Sequence, residues 1–394
     1  MVTYPNDWNE CSLNAVVKIK RGASPRPIEN YLTKSSSGAN WIKIGDAPRN
    51  GKYIVRTDEK IKMSGAAHSV WVYKGDFILS NSMSFGRPYL LGINGCIHDG
   101  WLRLYDFQND IDSDYLYYLL YSSTVKEQYS AFAAGSGVQN LNKEVVKKVK
   151  VCLPDVPEQK RIATNISIFD EHIDNLTELI EKKKAIRDGA LEDLVSGRTR
   201  VDGFDGEWER IELSSFAQIN PSCEIPNEFY YIDLESVKGI KLINARKEKK
   251  QNAPSRAKRL AKCGDVFFQT VRPYQKNNYL FNSKEDNYVF STGYAQLRTN
   301  NSSKFLFLLI RNDKFVETVL DNCTGTSYPA INPTTLGKIE VYVPKDYDEQ
   351  EAISSIITIM DEEIQALETE KEKMVQIREG AMDDLLTGRV RLKV

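Results

Sequence analysis

The chain contains one long stretch of sequence twice, in the same order, and this duplication constrains its fold more than any other feature. Residues 158–201 begin EQKRIATNISIFDEHIDNL and end GALEDLVSGRTRV, and residues 349–392 begin EQEAISSIITIMDEEIQAL and end GAMDDLLTGRVRL. The copies align without a gap at an offset of 191 residues (158 to 349), with nearly half of the positions identical. A long period in two copies indicates a duplicated two-part unit, because solenoids need shorter and more numerous repeats.

Matching pieces also precede each copy. KGDFILSNSMSFGRP (74–88) corresponds to KCGDVFFQTVRP (262–273), and DWNECSLNAVVKIKRG (7–22) corresponds to EWERIELSSFAQINPS (207–222). The sequence therefore predicts a first globular domain (1–153), a helical region (154–200), a second globular domain (201–343) and a second helical region (344–394). We expect an α+β fold in which two α/β-type domains are joined by two long antiparallel helices, with pseudo-two-fold symmetry and a nearly circular layout.

The repeated segments have the apolar spacing of paired helices. Ile162, Ile166, Phe169, Ile173, Leu176 and Ile180 recur at alternating steps of four and three residues, and Ile353, Ile357, Met360, Ile364 and Leu367 do the same. This narrow seam is typical of a helix that pairs with one other helix and not of one buried in a globular core. Antiparallel pairing of the two copies within one chain is the simplest arrangement. An intermolecular coiled coil in a homodimer is the alternative.

Composition narrows the class of protein. No apolar run is long enough to span a membrane, and the start MVTYPNDWNE lacks the features of a secretion signal. The six cysteines are scattered without a CxxC pair and there are only three histidines, so we expect reduced cysteines in a cytoplasmic protein and no metal site.

The charge is unevenly distributed along the chain. The net charge is −1 overall, but 12 basic residues lie within 238–276, where only Glu248 and Asp265 oppose them. Residues 1–153 carry 19 basic and 14 acidic residues, whereas 344–394 carry 7 and 13. Local basic segregation is typical of a phosphate-binding surface. The alternative is a solvated loop with no binding role.

At this point the chain resembles the specificity (S) subunit of type I restriction-modification systems over nearly all of its length. The resemblance is carried by Leu141-Asn142-Lys143, by Pro157-Glu158-Gln159 and by GALEDLVSGRTR leading into Gly206-Glu207-Trp208, with second copies at Asn332-Pro333, Glu349-Gln350 and GAMDDLLTGRVR. One departure is the segment Lys345-Asp346-Tyr347-Asp348 before the second Glu-Gln. It is one residue longer than its counterpart in the first copy and lacks the matching proline, so the sequence does not define where the second helix starts.

The resemblance implies a DNA-reading scaffold without chemistry of its own. Two target recognition domains would each read half of a bipartite, asymmetric double-stranded DNA sequence. The helices would dock two methyltransferase (M) subunits, which support restriction (R) subunits. S-adenosylmethionine, ATP and Mg are then expected in the partners and no cofactor in this chain. Independently, the sequence lacks a GxxxxGK[ST] motif, an adenine-methylation motif and a Gly-rich cofactor turn. The alternatives are a fused methyltransferase or nuclease component, and a coiled-coil scaffold without DNA readout.

Loops at equivalent places in the two domains are the candidate base-reading sites, because base edges are read by Arg, Lys, Asn and Gln with help from hydroxyl groups. The alternatives are plain turns and caps. The candidates in the first domain are Ser80, Asn81, Ser84 and Arg87, and those in the second are Gln269, Thr270, Arg272 and Tyr274. A second pair of matched loops contains Gln139 and Asn140 in the first domain and Ser327 and Tyr328 in the second, and we expect these loops to bring backbone amides close to phosphate. Candidate phosphate contacts are Lys43, Arg49, Lys52 and Arg56, then Arg246, Lys247, Lys249, Lys250, Arg256, Lys258 and Arg259.

The recurring ends of the helices are the candidate docking surface for methyltransferase subunits. The residues are Glu158, Gln159, Arg187, Asp193 and Arg198, with Glu349, Gln350, Arg378, Asp384 and Arg389 as their second copies. The alternative is that these residues cap and ion-pair the helix pair itself. Trp8 and Trp208, at matched positions, are predicted to be core anchors.

Overall fold

The computed structural model describes residues 3–48, 51–81, 86–107, 109–134, 141–325 and 327–392. The chain divides into two units. Unit 1 consists of Met1–Leu176 with Glu370–Val394, and unit 2 consists of Thr177–Thr369. Each unit therefore contains the globular part of one repeat together with a portion of both long helices.

Unit 1 is built on two larger sheets and a two-stranded ribbon. Its strands are β1 (Asn9–Ser12), β2 (Lys18–Arg21), β3 (Leu32–Thr33), β4 (Ala39–Ile42), β5 (Tyr53–Ile54), β6 (Glu59–Ile61), β7 (Val70–Val72), β8 (Phe77–Ser80), β9 (Pro88–Leu91), β10 (Gly95–Ile97), β11 (Trp101–Tyr105) and β12 (Lys150–Leu153). The sheet orders are β2-β11-β8-β9-β5 and β3-β6-β4-β10-β7, and the ribbon is β1-β12. The helices are α1 (Leu13–Val16), α2 (Met63–Ala66), α3 (Ser113–Tyr121), α4 (Ser123–Ala134), α5 (Lys143–Lys148) and the first part of α6 (Val156–Val195).

Strand β8 separates the two cores of unit 1. Successive side chains of a strand point to opposite faces, so Phe77 and Leu79 join the core shared with the helices, whereas Ile78 joins the core between the two sheets. Every residue of β8 is buried as a result. This explains why its sequence is an apolar run and not an alternating one.

Unit 2 repeats this plan. Its strands are β13 (Trp208–Glu212), β14 (Gln218–Ile219), β15 (Glu228–Ile232), β16 (Val237–Lys238), β17 (Lys241–Leu242), β18 (Arg246–Lys249), β19 (Ala257–Leu260), β20 (Val266–Gln269), β21 (Tyr279–Leu280), β22 (Tyr288–Ser291), β23 (Tyr294–Arg298) and β24 (Glu340–Pro344). They form the sheets β14-β23-β20-β21 and β18-β15-β22-β19 and the ribbons β13-β24 and β16-β17. The helices are α7 (Leu213–Phe216), α8 (Ser303–Leu309), α9 (Asp313–Asp321), α10 (Pro333–Gly337) and the first part of α11 (Tyr347–Leu386).

The two units share strand order and direction although their sequences have diverged. In unit 1, β4 runs parallel to β10 and antiparallel to β6, and β10 is antiparallel to β7. In unit 2, β15 runs parallel to β22 and antiparallel to β18, and β22 is antiparallel to β19. Phe267 of β20 faces the core between the sheets, as Ile78 does in β8. The predicted duplication of an α+β domain is confirmed.

The long helices begin and end by the same local chemistry. Asp155 and Asp346, one repeat apart, each accept a hydrogen bond on the side chain from a backbone N–H of the first turn, at 2.8 Å. The second helix therefore starts on an aspartate cap and does not need the missing proline. Gly197 and Gly388 follow the helix ends with φ of +70°, a conformation that favours glycine. A Cβ there would lie 3.3 Å or less from Trp208 or Trp8 ring atoms, which confirms the tryptophans as packing anchors.

The apolar seam does more than pair two helices. Ile162 and Ile166 of α6 are buried in the main core of unit 1 together with Leu385 of α11, and Ile353 and Ile357 occupy the same position in unit 2. The prediction that this seam excludes burial in a globular core was therefore wrong, because the globular part of each unit covers the helix pair at one end. In each unit, α6 pairs antiparallel with α11, as the ion pairs below establish.

Candidate nucleic-acid interface

The loop that follows β20 in unit 2 is held from inside by a buried glutamine. Gln269 is 2% exposed, and its side-chain amide donates to Val271 O at 2.7 Å and to Gln275 Oε1 at 2.9 Å. Its own N–H donates to Asn278 Oδ1 at 2.9 Å. Thr270 is also buried and donates to Gly293 O at 2.8 Å. The prediction that these two residues face DNA is corrected by their burial: both fix the loop and neither is on its surface.

The surface of this loop presents an arginine that packs on one tyrosine ring, with a second exposed tyrosine on the same loop. The guanidinium of Arg272 lies over the Tyr328 ring at 4.4 Å from its centroid. Tyr328 and Tyr274 are 63% and 52% exposed, and Ser327 is exposed beside Tyr328. The backbone joins the two segments, because Arg272 N–H donates to Pro329 O at 2.7 Å and Val271 bridges to Ala330. The structure therefore brings together four of the predicted contacts that are far apart in sequence.

The basic segment of unit 2 lies on both edges of one sheet. Arg246, Lys247 and Lys249 belong to β18 at one edge, and Lys258 and Arg259 belong to β19 at the other. The connection between the edges contains Lys250 and Arg256, both exposed. The predicted phosphate contacts therefore surround this sheet and do not form one compact patch.

Carboxylates neutralise part of this basic charge. Arg246 donates to Asp233 at 3.1 Å, and Lys247 and Lys249 lie 3.5 Å and 3.6 Å from Glu228. By contrast, Asp265 is 1% exposed and accepts two hydrogen bonds from Arg298, each of 2.7 Å, so it does not oppose the surface charge. Arg259 is half-buried, and burial lowers the pKa of its guanidinium. The exposed cations Lys250, Arg256 and Lys258 are the better placed for phosphate.

The equivalent loop of unit 1 also emerges from the end of a buried strand. Ser80 is fully buried, and its hydroxyl accepts from Arg87 N–H at 3.3 Å. Burial therefore corrects its predicted role at the surface. Asn81 is partly exposed, and its side-chain amide donates to Asp99 O at 2.9 Å. Its backbone carbonyl accepts from Leu141 N–H at 3.0 Å. Arg87 lies over the Tyr89 ring at 5.2 Å. The predicted contacts Arg49, Ser84, Gln139 and Asn140 lie outside the described residues.

A cleft of about 510 Å³ adjoins Asn81, and one of its lining residues, Arg21, was missed by the sequence reasoning. Arg21, Asn81, His98 and Asp99 line it. Arg26 donates to Asp99 at 3.1 Å and Arg21 Nε donates to the Asp99 carbonyl at 3.3 Å. The signal available in the sequence was the position of Arg21 at the end of β2, which pairs with β11 beside β8.

The remaining basic candidates of unit 1 are partly neutralised. Lys43 pairs with Glu59 at 2.8 Å. Lys52 pairs with Asp114 and lies 4.8 Å from the centre of the Tyr117 ring. Arg56 is exposed. Of these three, Arg56 is the most accessible to a phosphate.

The duplicated Glu-Gln pairs at the helix starts are interior groups. Glu158, Gln159, Glu349 and Gln350 are each 6% exposed or less. Gln159 accepts from Asp112 N–H at 2.9 Å in unit 1, and Gln350 accepts from Ser302 N–H at 3.0 Å in unit 2. Burial corrects the docking prediction for these four residues and agrees with the alternative that they hold each unit together.

Arginines from the helix ends neutralise the buried glutamates. Arg200 donates two hydrogen bonds to Glu349 at 2.6 Å and 2.8 Å, and Arg391 donates two to Glu158 at 2.7 Å and 2.9 Å. Arg391 also donates to Asp7, which raises the pKa of the arginine and lowers that of Asp7. Because a buried carboxylate is tolerated only when paired and hydrogen-bonded, these clusters require both members.

The other docking candidates divide into two groups. Arg187 and Arg378 form interhelical ion pairs and are mostly buried, with 16% and 18% of the side chain exposed. Asp193 pairs with Arg198 at 2.8 Å, and Asp384 pairs with Arg389 at 3.1 Å. These last two pairs are exposed by 45–59%, so they are accessible to a partner.

Neither metal ligation nor membrane insertion is indicated by the described part of the chain. In those ranges, no group of three or more His, Cys, Asp or Glu residues is placed to hold a metal ion. No helix within the same ranges combines the length and the apolar character needed to cross a membrane.

Comparisons with known proteins agree with the duplicated architecture. A family model described as the type I restriction modification DNA specificity domain matches the chain twice, at residues 5–185 and 206–376. The type I restriction enzyme MjaVIII specificity subunit of Methanocaldococcus jannaschii is 24% identical over 422 residues, which cover 99% of this chain and 94% of that protein.

Solved structures share the fold. A chain from work on complex assembly and conformational transition of the type I R-M system superposes with a TM-score of 0.66 at 16% identity, covering 98% of this chain and 100% of that one. The type I restriction-modification S subunit of M. genitalium gives a TM-score of 0.56 at 17% identity, with 98% of each chain covered.

Proposed function

This chain belongs to the type I restriction-modification DNA specificity family, and we propose that it reads a bipartite, asymmetric DNA sequence, one half with each unit. The observation that carries the proposal is the difference between equivalent loops on sheets that share their central strand order. Strand β20 leads to Arg272 against Tyr328, whereas β8 leads to Asn81 beside Asp99 and the Arg21 side chain. One scaffold with two different polar loops is suited to two different half-sites.

The chain acts as a specificity subunit without catalysis of its own. The sequence contains no phosphate-binding GxxxxGK[ST] loop and no Gly-rich cofactor turn. Methyltransferase subunits supply S-adenosylmethionine chemistry in this proposal, and restriction subunits that assemble through them use ATP and Mg.

Two copies of the methyltransferase subunit dock on duplicated helix surfaces. Ile186 and Ile377, one repeat apart, are 61% and 52% exposed. Gly189 and Gly380 follow each isoleucine by three residues, and a Cβ at either glycine would meet nothing within 4 Å. A glycine inside a helix costs about 1 kcal/mol relative to alanine, and packing among the described residues gives no reason for it. Close approach by a partner explains why both copies carry it, next to the exposed Asp193–Arg198 and Asp384–Arg389 pairs.

The test is selection from a random-sequence duplex library by the complex of this chain with its methyltransferase subunit. The proposal expects one motif made of two specified blocks separated by an unspecified gap of fixed length. Enrichment of no sequence by an intact complex would contradict it and favour a coiled-coil scaffold without DNA readout.

A further inference from the structure

We propose that Arg272 is the principal base-reading side chain of unit 2 and that it recognises a guanine through the major groove. This inference rests on the proposed function and names a chemical contact for one half-site.

The backbone at Arg272 is held in a conformation that arginine rarely adopts. Its φ and ψ are +54° and +56°, in the left-handed region, which is strained for any residue other than glycine. Such strain persists only where the surrounding structure imposes it, and it concentrates at functional positions. Here the Arg272 N–H donates to Pro329 O at 2.7 Å, and Arg272 O accepts from Gln275 N–H at 3.0 Å.

Buried side chains enforce this loop conformation. The Gln269 amide donates to Val271 O, next to Arg272 in the chain, and its Oε1 accepts from Asn277 N–H at 3.3 Å. Asn278 is fully buried and accepts from Gln269 N–H. Gln269 is thus a positioning residue, because it fixes the loop on both sides of Arg272 without reaching the surface.

The Tyr328 ring supports the plane of the guanidinium. At 4.4 Å from the ring centroid, the arginine gains a cation–π contact and loses part of its rotational freedom before any ligand binds. A preorganised planar fork with parallel N–H donors matches guanine O6 and N7, the commonest specific contact of arginine with DNA. The exposed ring of Tyr274 stands on the same loop.

Apart from its contact with the Tyr328 ring, the charge of Arg272 has no ion-pair partner in the described part of the chain. Among the described residues, no carboxylate lies within the 4.0 Å ion-pair distance of its guanidinium, whereas Lys276 of the same loop pairs with Asp313. A contact that served only phosphate affinity would need neither a fixed backbone nor a stacking ring, because phosphate contacts carry no sequence information. Both features are explained by base reading.

The experiment uses the full chain in complex with its methyltransferase subunit. The wild-type motif is determined first. Binding is then measured on duplexes that each carry one altered base pair, for the variants Arg272→Gly, Arg272→Lys, Tyr328→Phe and Tyr328→Ala. Arg272→Gly is the critical variant, because glycine accepts the left-handed backbone and the loop remains folded. Its melting temperature is expected to equal or exceed that of the wild type.

In Arg272→Gly, discrimination at one G·C pair of one half-site is expected to fall roughly 5- to 150-fold, with the other positions read as before. Arg272→Lys loses most of the same discrimination, Tyr328→Phe keeps it, and Tyr328→Ala reduces it. In Gln269→Ala, discrimination falls at the same base pair, and adding Gln269→Ala to Arg272→Gly produces no further loss there. Lys338→Ala is the charge control. Lys338 follows Gly337, which packs near Ile219 of β14. Strand β14 pairs with the end of β23 that lies away from the Arg272 loop.

Two outcomes overturn the proposal. If Arg272→Gly weakens binding equally on all duplexes, Arg272 is a phosphate contact; if it changes nothing, Arg272 does not touch DNA. In both cases the proposed function would still be supported if the wild-type complex selects a bipartite motif. A wild-type complex without any motif would overturn the proposed function and this inference together.

Discussion

The guanidinium of Arg187 on α6 donates to the carboxylate of Asp361 on α11 at 2.7 Å. The same pair recurs in unit 1 with the roles of the helices exchanged, because Arg378 on α11 donates to Asp170 on α6 at 2.9 Å. Each residue lies one repeat of 191 positions from its counterpart. The arginine of each copy therefore pairs with the aspartate of the other copy, and the duplicated segment itself specifies the antiparallel register of the two helices.

Reversing charge at Arg187 tests this register. The Arg187→Asp variant places two carboxylates together at a site where 16% and 31% of the side chains are exposed, and we expect a loss of about 1–3 kcal/mol in the free energy of unfolding. The double variant Arg187→Asp/Asp361→Arg should recover at least half of it, giving a coupling energy of about 1 kcal/mol. Urea denaturation of the four proteins measures this cycle. Additive single effects would show that the pair does not set the register.

Sequence repetition alone was enough to predict the domain duplication, the helix pair and the packing role of Trp8 and Trp208. It could not predict that Glu158 and Glu349 are buried. Charged residues are rarely buried unless they are paired, and their partners Arg391 and Arg200 are 233 and 149 residues away in the chain. Only the fold brings these groups together.

The loops proposed to read bases show the same limit. A loop can be located by its place after an apolar strand, but the sequence does not show that Gln269 is buried whereas Arg272, three residues further on, is partly exposed. The direction of the Arg272 side chain is fixed by its αL backbone and by its contact with Tyr328. Tyr328 lies 56 positions further along the chain. Local propensity contains no signal for such an arrangement.

Replacing an exposed helix glycine is expected to raise the stability of the isolated chain and to reduce its binding of methyltransferase subunits. Gly380→Leu replaces a solvent-facing helix glycine and should raise the free energy of unfolding of the isolated chain by about 0.5–1 kcal/mol. The same side chain should block one docking surface, so that the complex contains one methyltransferase subunit instead of two. Native mass spectrometry measures the stoichiometry. Glu379→Leu, at the neighbouring exposed position, is the matched control, and equal losses in both variants would contradict a specific role for the glycine.

The exposed cations around the second unit's basic sheet predict salt-dependent affinity without sequence preference. The triple variant Lys250→Ala/Arg256→Ala/Lys258→Ala removes three exposed charges. Each phosphate contact contributes about 0.9 to the slope of log affinity against log salt, so the slope should become shallower by up to about 3. Fluorescence anisotropy between 50 and 200 mM salt, roughly the range in which such effects are large, measures it. An unchanged slope would place the DNA elsewhere, and an altered motif would contradict the phosphate assignment.

The partly buried His98 of unit 1 predicts a dependence of stability on pH. Burial lowers the pKa of His98 below its ordinary value of 6.5, although Asp99 and Asp46 act in the opposite direction. The unfolded chain therefore binds the proton more readily than the folded one, so the stabilising contribution is complete above pH 6.5 and is lost as pH falls through the lower folded pKa. The carboxyl of Asp99 has its pKa lowered from 3.8 and titrates below this window.

Thermal unfolding at pH 7.5 and pH 5.5, about one unit to either side of the free imidazole pKa, tests the assignment. The wild-type melting temperature should fall more between these values than that of His98→Gln, which cannot titrate. His68→Gln provides the control for removing an exposed histidine. Parallel behaviour of wild type and His98→Gln would show that His98 is not the group responsible.

The central claim is that this chain directs modification to a two-part DNA sequence. Its most direct test is a genome-wide map of methylated adenines in a methylation-free host that expresses the chain with its methyltransferase subunit. The account predicts methylation at a single asymmetric motif composed of two separated half-sites, and no methylation when the subunit is expressed without the chain. Methylation that is scattered without a motif, or that persists unchanged in the absence of the chain, would contradict it.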